Sequence, residues 1–117
     1  MEYTESILDS IKKLLGITSD INSFDMDIII HINSVFMALR QMGIGPKDGF
    51  SIEGNVEIWT DFSENIRLIE AVKTYIYLKV RLIFDPPASS SVIEVYNQQI
   101  KELEWRLYSE VEFPLEG

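Results

Sequence analysis

The sequence predicts an all-α fold: a small bundle of about four helices, built on an αα-hairpin, with a short β-hairpin or extended loop between the second and third. Three observations carry this. Two stretches of helical apolar periodicity, within Ala71–Phe84 and Val92–Leu107, flank Asp85-Pro86-Pro87. The ring of Pro86 drives Asp85 out of the α region, and Pro87 removes a second backbone donor where a helix would otherwise resume. Two more amphipathic stretches, each closed by a glycine (Gly16 and Gly43), precede the hairpin.

The first helix is expected over Tyr3–Leu15. Ile7, Leu8, Ile11, Leu14 and Leu15 share one face, and Gly16 supplies the left-handed stop. The connector ITSDINS leads to a second helix over Phe24–Met42, capped by Asn22 or Ser23 and ended by Gly43. Phe24, Ile28, Ile32, Val35, Phe36 and Leu39 form its main stripe, while Met26, Ile30 and Met37 form a second stripe on the opposite side. A helix apolar on two faces is either sandwiched within its own fold or in contact with another chain.

Residues 44–60 are not helical, because Gly45, Pro46, Gly49 and Gly54 interrupt any long pattern. Phe50-Ser51-Ile52 and Val56-Glu57-Ile58 alternate around Gly54-Asn55, which suits a type II′ hairpin. A lone two-stranded ribbon is marginal in water. It either lies on the helices, pairs with a neighbouring subunit, or is an ordinary surface loop.

The third helix is expected from Asp61, which has capping spacing with Glu64, to about Phe84. Leu68, Ile69, Val72, Tyr75, Ile76 and Ile83 form its inner face. Lys79 falls among them, either with its stem on the core and its amine in water or paired with an acid across a subunit boundary. The fourth helix, Ser91–Glu110, opens on a Ser91/Glu94 capping box and buries Val92, Tyr96, Ile100, Leu103 and Leu107. The short link makes the last two helices antiparallel neighbours. Trp105 and Tyr108 point away from that core, either as interface anchors or packed on the N-terminal helix. Pro114 ends any remaining helix, leaving residues 111–117 as an extended tail that carries Phe113 and Leu115.

The 117 residues form one domain. There is no cysteine, so disulfides and thiolate metal sites are excluded. The acidic, amphipathic start MEYTESILDS is no signal peptide, and charges or His31 interrupt the longest apolar runs, so the expectation is a soluble intracellular protein. A net charge of −9 argues against a free nucleic-acid-binding domain. The charge is uneven. Asp85, Glu94, Glu102, Glu104, Glu110, Glu112 and Glu116 face only Lys101 and Arg106 in the last part of the chain. Arg67, Lys73, Lys79 and Arg81 outnumber the acids between Asp61 and Phe84. The acidity either serves solubility alone or lets neighbouring copies meet basic helix to acidic helix.

No catalytic constellation is legible. His31, the single histidine, sits at the edge of an apolar stripe without a companion acid or base, and reads as a structural residue. There is no phosphate-cradling glycine loop and no GxSxG nucleophile. Glu102 and Glu104 project to different sides of a helix, as do Asp25 and Asp27, so neither pair can share a cation. The expectation is a non-enzymatic protein without a metal or cofactor.

Several segments together resemble the head–tail connector (head-completion or adaptor) proteins of long-tailed bacteriophages. They are YIYLKVRLIFDPP, the serine run Ser89–Ser91, IKELEWRL, IWTDF at Ile58–Phe62, and the opening ITSDINSFDMDIIIHINSVFMALRQMGIGP. The likeness covers nearly the whole chain. It implies a virion protein, assembled in the host bacterial cytoplasm, that forms a closed ring of twelvefold symmetry. Such a ring docks on the portal protein after DNA packaging, extends the channel towards a tail-side completion or stopper protein, and lets DNA pass without specific binding. It also implies that the C-terminal segment engages the portal and that the loop between the second and third helices contributes to the ring or its bore.

A head-to-tail ring needs two different complementary surfaces per subunit. The candidate subunit-interface residues are Met26, Ile30 and Met37 on the second helix, Phe50, Ile52, Ile58 and Trp59 in the loop, Lys79 and Arg81 on the third helix, and Trp105 and Tyr108 on the fourth. The candidate portal-binding residues are Val111, Phe113 and Leu115. A rival reading is an acidic helical protein that mimics DNA and blocks a host DNA-binding partner; it requires carboxylates regularly spaced along one surface.

Overall fold

The computed structural model describes residues 2–112, and the side chains of residues 3–110. A 3-10 turn at Glu2–Thr4 is followed by α1 (Ile7–Leu14), α2 (Asp25–Gln41), the single turn α3 (Trp59–Phe62), α4 (Ile66–Phe84) and α5 (Ser90–Glu112). The fold is mostly helical, as the sequence predicts. It departs from the expected four helices, and of the two forms expected between the second and third it takes the loop and not the β-hairpin, in both cases for identifiable causes.

α1 starts later than expected because Ser6 breaks away to bridge Ile58, with the Ile7 N–H donating to the Glu57 carbonyl at 2.9 Å. Its hydroxyl then caps α1 by accepting from the Asp9 N–H at 3.2 Å. α1 and α2 both stop as expected, with Gly16 and Gly43 at φ +82° and +84°. The N–H of Ile17 reaches the Lys12 carbonyl, and that of Ile44 the Leu39 carbonyl, in Schellman geometry. Neither Asn22 nor Ser23 caps α2; Phe24 occupies that position without a side-chain bond. The entry to α2 is fixed instead by Lys12, buried at the end of α1. Its amine lies 2.8 Å from Asp25 and donates to the carbonyls of Ile21 at 2.6 Å and Ser19 at 3.4 Å.

No paired strands form at residues 50–58 among the described residues, because side chains take the backbone groups a ladder would need. Asn33 on α2 accepts from the Ile52 N–H at 2.8 Å and donates to its carbonyl at 2.9 Å. The Glu57 carboxylate accepts from the Glu53 N–H at 2.8 Å. The loop is laid onto the helices. The expected third helix is divided, since the Asp61 carboxylate accepts from the Ile58 N–H at the start of α3. α4 is capped by Asn65, which accepts from the Arg67 and Leu68 N–H groups. At the far end, Asp85 leaves the α region (φ −148°, ψ 70°) before Pro86. α5 begins at Ser90, so Ser91 lies inside the helix and is not its cap.

α4 is the central element, packed against both α2 and α5. Its buried residues Ile69, Val72, Tyr75, Ile76, Leu78 and Val80 cover more than half its circumference, which requires neighbours on two sides. The start of α2 meets the end of α4, where Phe24 and Phe84 lie edge-on at 5.5 Å, and the later part of α2 meets the turn before α4, where Phe36 lies 5.1 Å from Phe62, so α2 runs antiparallel to α4. The first half of α4 and the last half of α5 line one cleft, and the Tyr75 hydroxyl donates to Glu104 at 2.9 Å, so α5 also runs antiparallel to α4. α2 and α5 therefore run in the same direction, both packed on α4. α1, the 44–58 loop and α3 close one end of the core, where Phe36, Phe50 and Phe62 form an aromatic cluster with centroids 5.0–5.6 Å apart. No helix among the described residues is long and apolar enough to cross a membrane.

Candidate functional site

α2 buries Ile28, Ile32, Val35, Phe36 and Leu39 and leaves its second stripe open, with Met26 72%, Ile30 58% and Met37 64% exposed. At 3.6 residues per turn these three side chains share a sector about 40° wide. On α5, Ile100 and Leu107 are buried, whereas Trp105 is 73% and Tyr108 56% exposed. Trp105 flanks a cleft of about 700 Å³ between the first half of α4 and the last half of α5, lined by Arg67, Leu68, Ala71, Thr74 and Arg106 among others. Exposed methionine and tryptophan side chains of this size are the anchors by which helical surfaces are recognised.

The loop candidates fall differently. Ile52 and Trp59 are buried in the subunit's own core, which corrects their assignment to an interface. The cause is local. Asn33 clamps the backbone of Ile52, and the Trp59 indole donates to the Ser10 hydroxyl at 2.8 Å, which in turn donates to the Ile7 carbonyl. Phe50 is half-buried in the aromatic cluster and Ile58 half-buried beside Ser6. Val56, at the loop tip and 83% exposed, is the outward apolar residue of this segment, and its place in the alternation with Ile58 gave no sign of that.

The two basic candidates on α4 have partners within the chain. The Lys79 amine sits 5.3 Å from the Tyr75 ring centroid. Arg81 donates to the Tyr77 hydroxyl at 3.2 Å and to the Asp85 carbonyl at 2.7 Å. The bond to Tyr77 holds the Arg81 guanidinium above its ordinary pKa, and the same hydroxyl raises that of Tyr96. Burial, followed by the bond to Glu104, pushes the Tyr75 hydroxyl well above its ordinary value. Of these contacts, Tyr75 with Glu104 and Tyr77 with Tyr96 tie α4 to α5. The side chain of Val111 and residues 113–117, with Phe113 and Leu115, lie outside the described residues.

His31 is half-buried on α2. Among the described residues no group of three or more histidine, cysteine, aspartate or glutamate side chains is placed to hold a metal. The arrangement offers apolar helix faces and a cleft.

No curated protein and no solved structure matches the chain. A family model described as phage connector protein matches residues 7–113, a span that takes in α1 to α5 and both exposed faces. The chain belongs to the phage connector protein family.

Proposed function

We infer that the chain is a structural, non-enzymatic subunit of the head–tail junction of a phage virion, where copies of it form a closed ring on the portal. In this reading the ring matches the portal's twelvefold symmetry, lengthens the DNA channel towards a tail-side completion protein, and passes DNA without gripping it. Family membership supports the connector role. The observation that carries the ring is the open stripe of Met26, Ile30 and Met37 on a helix whose other face is fully packed. A surface of that kind marks a protein contact. A head-to-tail ring uses two different surfaces, and α5 supplies the second with Trp105 and Tyr108. An acidic bore repels phosphates, so the net charge of −9 favours passage over binding.

The rival role as a DNA mimic loses one carboxylate of α5, because Glu104 is turned inward to Tyr75 while Glu94 and Glu102 stay exposed. Light scattering after size exclusion, with and without portal protein, tests the proposed role. The expected result is a multi-copy species in the presence of portal. A strict monomer that leaves portal unchanged contradicts it. Deleting residues 111–117 is expected to keep the helical circular dichroism and weaken portal binding; undiminished binding contradicts the portal role of Val111, Phe113 and Leu115.

A further inference from the structure

Met26, Ile30 and Met37 lie about 160° around α2 from the centre of its buried face, and Trp105 stands at a similar angle on α5. Since α2 and α5 both pack on α4 and not substantially on each other, the two apolar stripes lie on separate flanks of the subunit. They cannot cover each other within one chain. A two-fold contact between two α2 helices would leave α5 bare, whereas a head-to-tail contact covers both.

A head-to-tail contact of these two stripes also has a direction and a height. In a ring of many copies each neighbour is turned by a small angle, about 30° for twelve, so helix directions carry over from one copy to the next. α2 and α5 run parallel within a subunit, so α2 of one copy and α5 of the next must also run nearly parallel. Seating one stripe on the other displaces each copy along the line joining the stripes, across the helices, so residues level within a subunit meet across the contact. Phe24 opposite Phe84, and Tyr75 opposite Glu104, put Ser34 level with Thr74 and Thr74 level with Trp105. Thr74 and Trp105 do line the same cleft.

We propose that Trp105 of one copy inserts over Ser34 of the next, between Ile30 and Met37, in a parallel α5-to-α2 contact between second copies of this chain. Ser34 is exposed, and its small side chain leaves a gap between two large apolar neighbours into which an indole fits. Methionine beside tryptophan adds a favourable sulfur–aromatic contact. The flanking charges agree. Asp27, exposed on α2, and Lys101, exposed on α5, fall on the same side of this contact and within one helical turn of each other. The inference rests on the multi-copy reading above and specifies which surfaces meet, in which direction and at which register.

The absence of cysteine makes the test clean. A chain carrying both Ile30→Cys and Lys101→Cys, which are level and face each other, is oxidised in the portal-bound assembly and run without reductant. The expected result is a ladder of dimers, trimers and larger multiples, with no cross-link from either single variant. An out-of-register pair, Ile30→Cys with Tyr108→Cys, is expected to give no ladder. A dimer from Ile30→Cys alone, or a ladder from the out-of-register pair only, overturns the proposal. The unsubstituted protein, weighed by light scattering alongside, separates the two failures. A multi-copy mass without a ladder rejects this contact and leaves the ring intact; a monomer under all conditions rejects the ring, and this contact with it.

Discussion

At the scale of single residues, the most consequential group for the fold is a buried lysine. Lys12 is a buried cation whose amine holds Asp25 and the carbonyls of Ser19 and Ile21, and so fixes how α2 leaves α1. Lys12→Met keeps the bulk and removes the bonds, and should lower the unfolding free energy by about 1–3 kcal/mol, measured by urea denaturation; an unchanged midpoint contradicts that role. Tyr75 carries a pH signature. Its hydroxyl is held protonated in the fold by burial and by Glu104, above the ordinary value of 10.0. A raised folded pKa means that its contribution to stability is complete below pH 10 and is lost as pH rises beyond it. Denaturation midpoints should therefore fall above pH 10 in the native protein and fall less steeply in Tyr75→Phe. Equal slopes in the two proteins would contradict the assignment.

Helices and loop differ in how far they could be read from sequence. The αα-hairpin was legible because two signals agree: an apolar stripe on each helix and a double proline between them. The stops at Gly16 and Gly43 were legible because a Schellman ending needs a residue tolerant of positive φ. The N-termini were not, since Asn22, Ser23, Asp61 and Ser91 all have capping chemistry and the tertiary structure chose Phe24, Asn65 and an earlier start instead. Residues 50–58 allowed both the β-hairpin and the loop, and the choice was made by a long-range partner. Asn33 and Glu57 outcompete a cross-strand ladder for the Ile52 and Glu53 donors, and nothing local in residues 50–58 announces a partner on α2. That clamp is testable at this scale. Asn33→Ala should make the 53–57 segment markedly more susceptible to limited proteolysis while far-ultraviolet circular dichroism stays helical; unchanged cleavage would show that the loop is held by Ile52 burial alone.

For the whole molecule, the exposed stripes of α2 and α5 were readable as candidate surfaces because Met26, Ile30, Met37, Trp105 and Tyr108 lie off the core periodicity of their helices. Ile52 and Trp59 were misplaced because apolar alternation says that a face is buried and not by which chain. The chain completes one core around α4 and leaves apolar faces exposed on α2 and α5. Trp105→Ala should leave the thermal midpoint nearly unchanged and reduce the mass of the portal-bound assembly; a large drop in midpoint would place Trp105 in the core. The most direct test of the central claim is a cryo-electron reconstruction of the protein mixed with portal. A closed ring seated on the portal is the predicted result, with Met26, Ile30 and Met37 of every copy covered by its neighbour. A bare portal, or copies bound singly with those three side chains facing solvent, would contradict it.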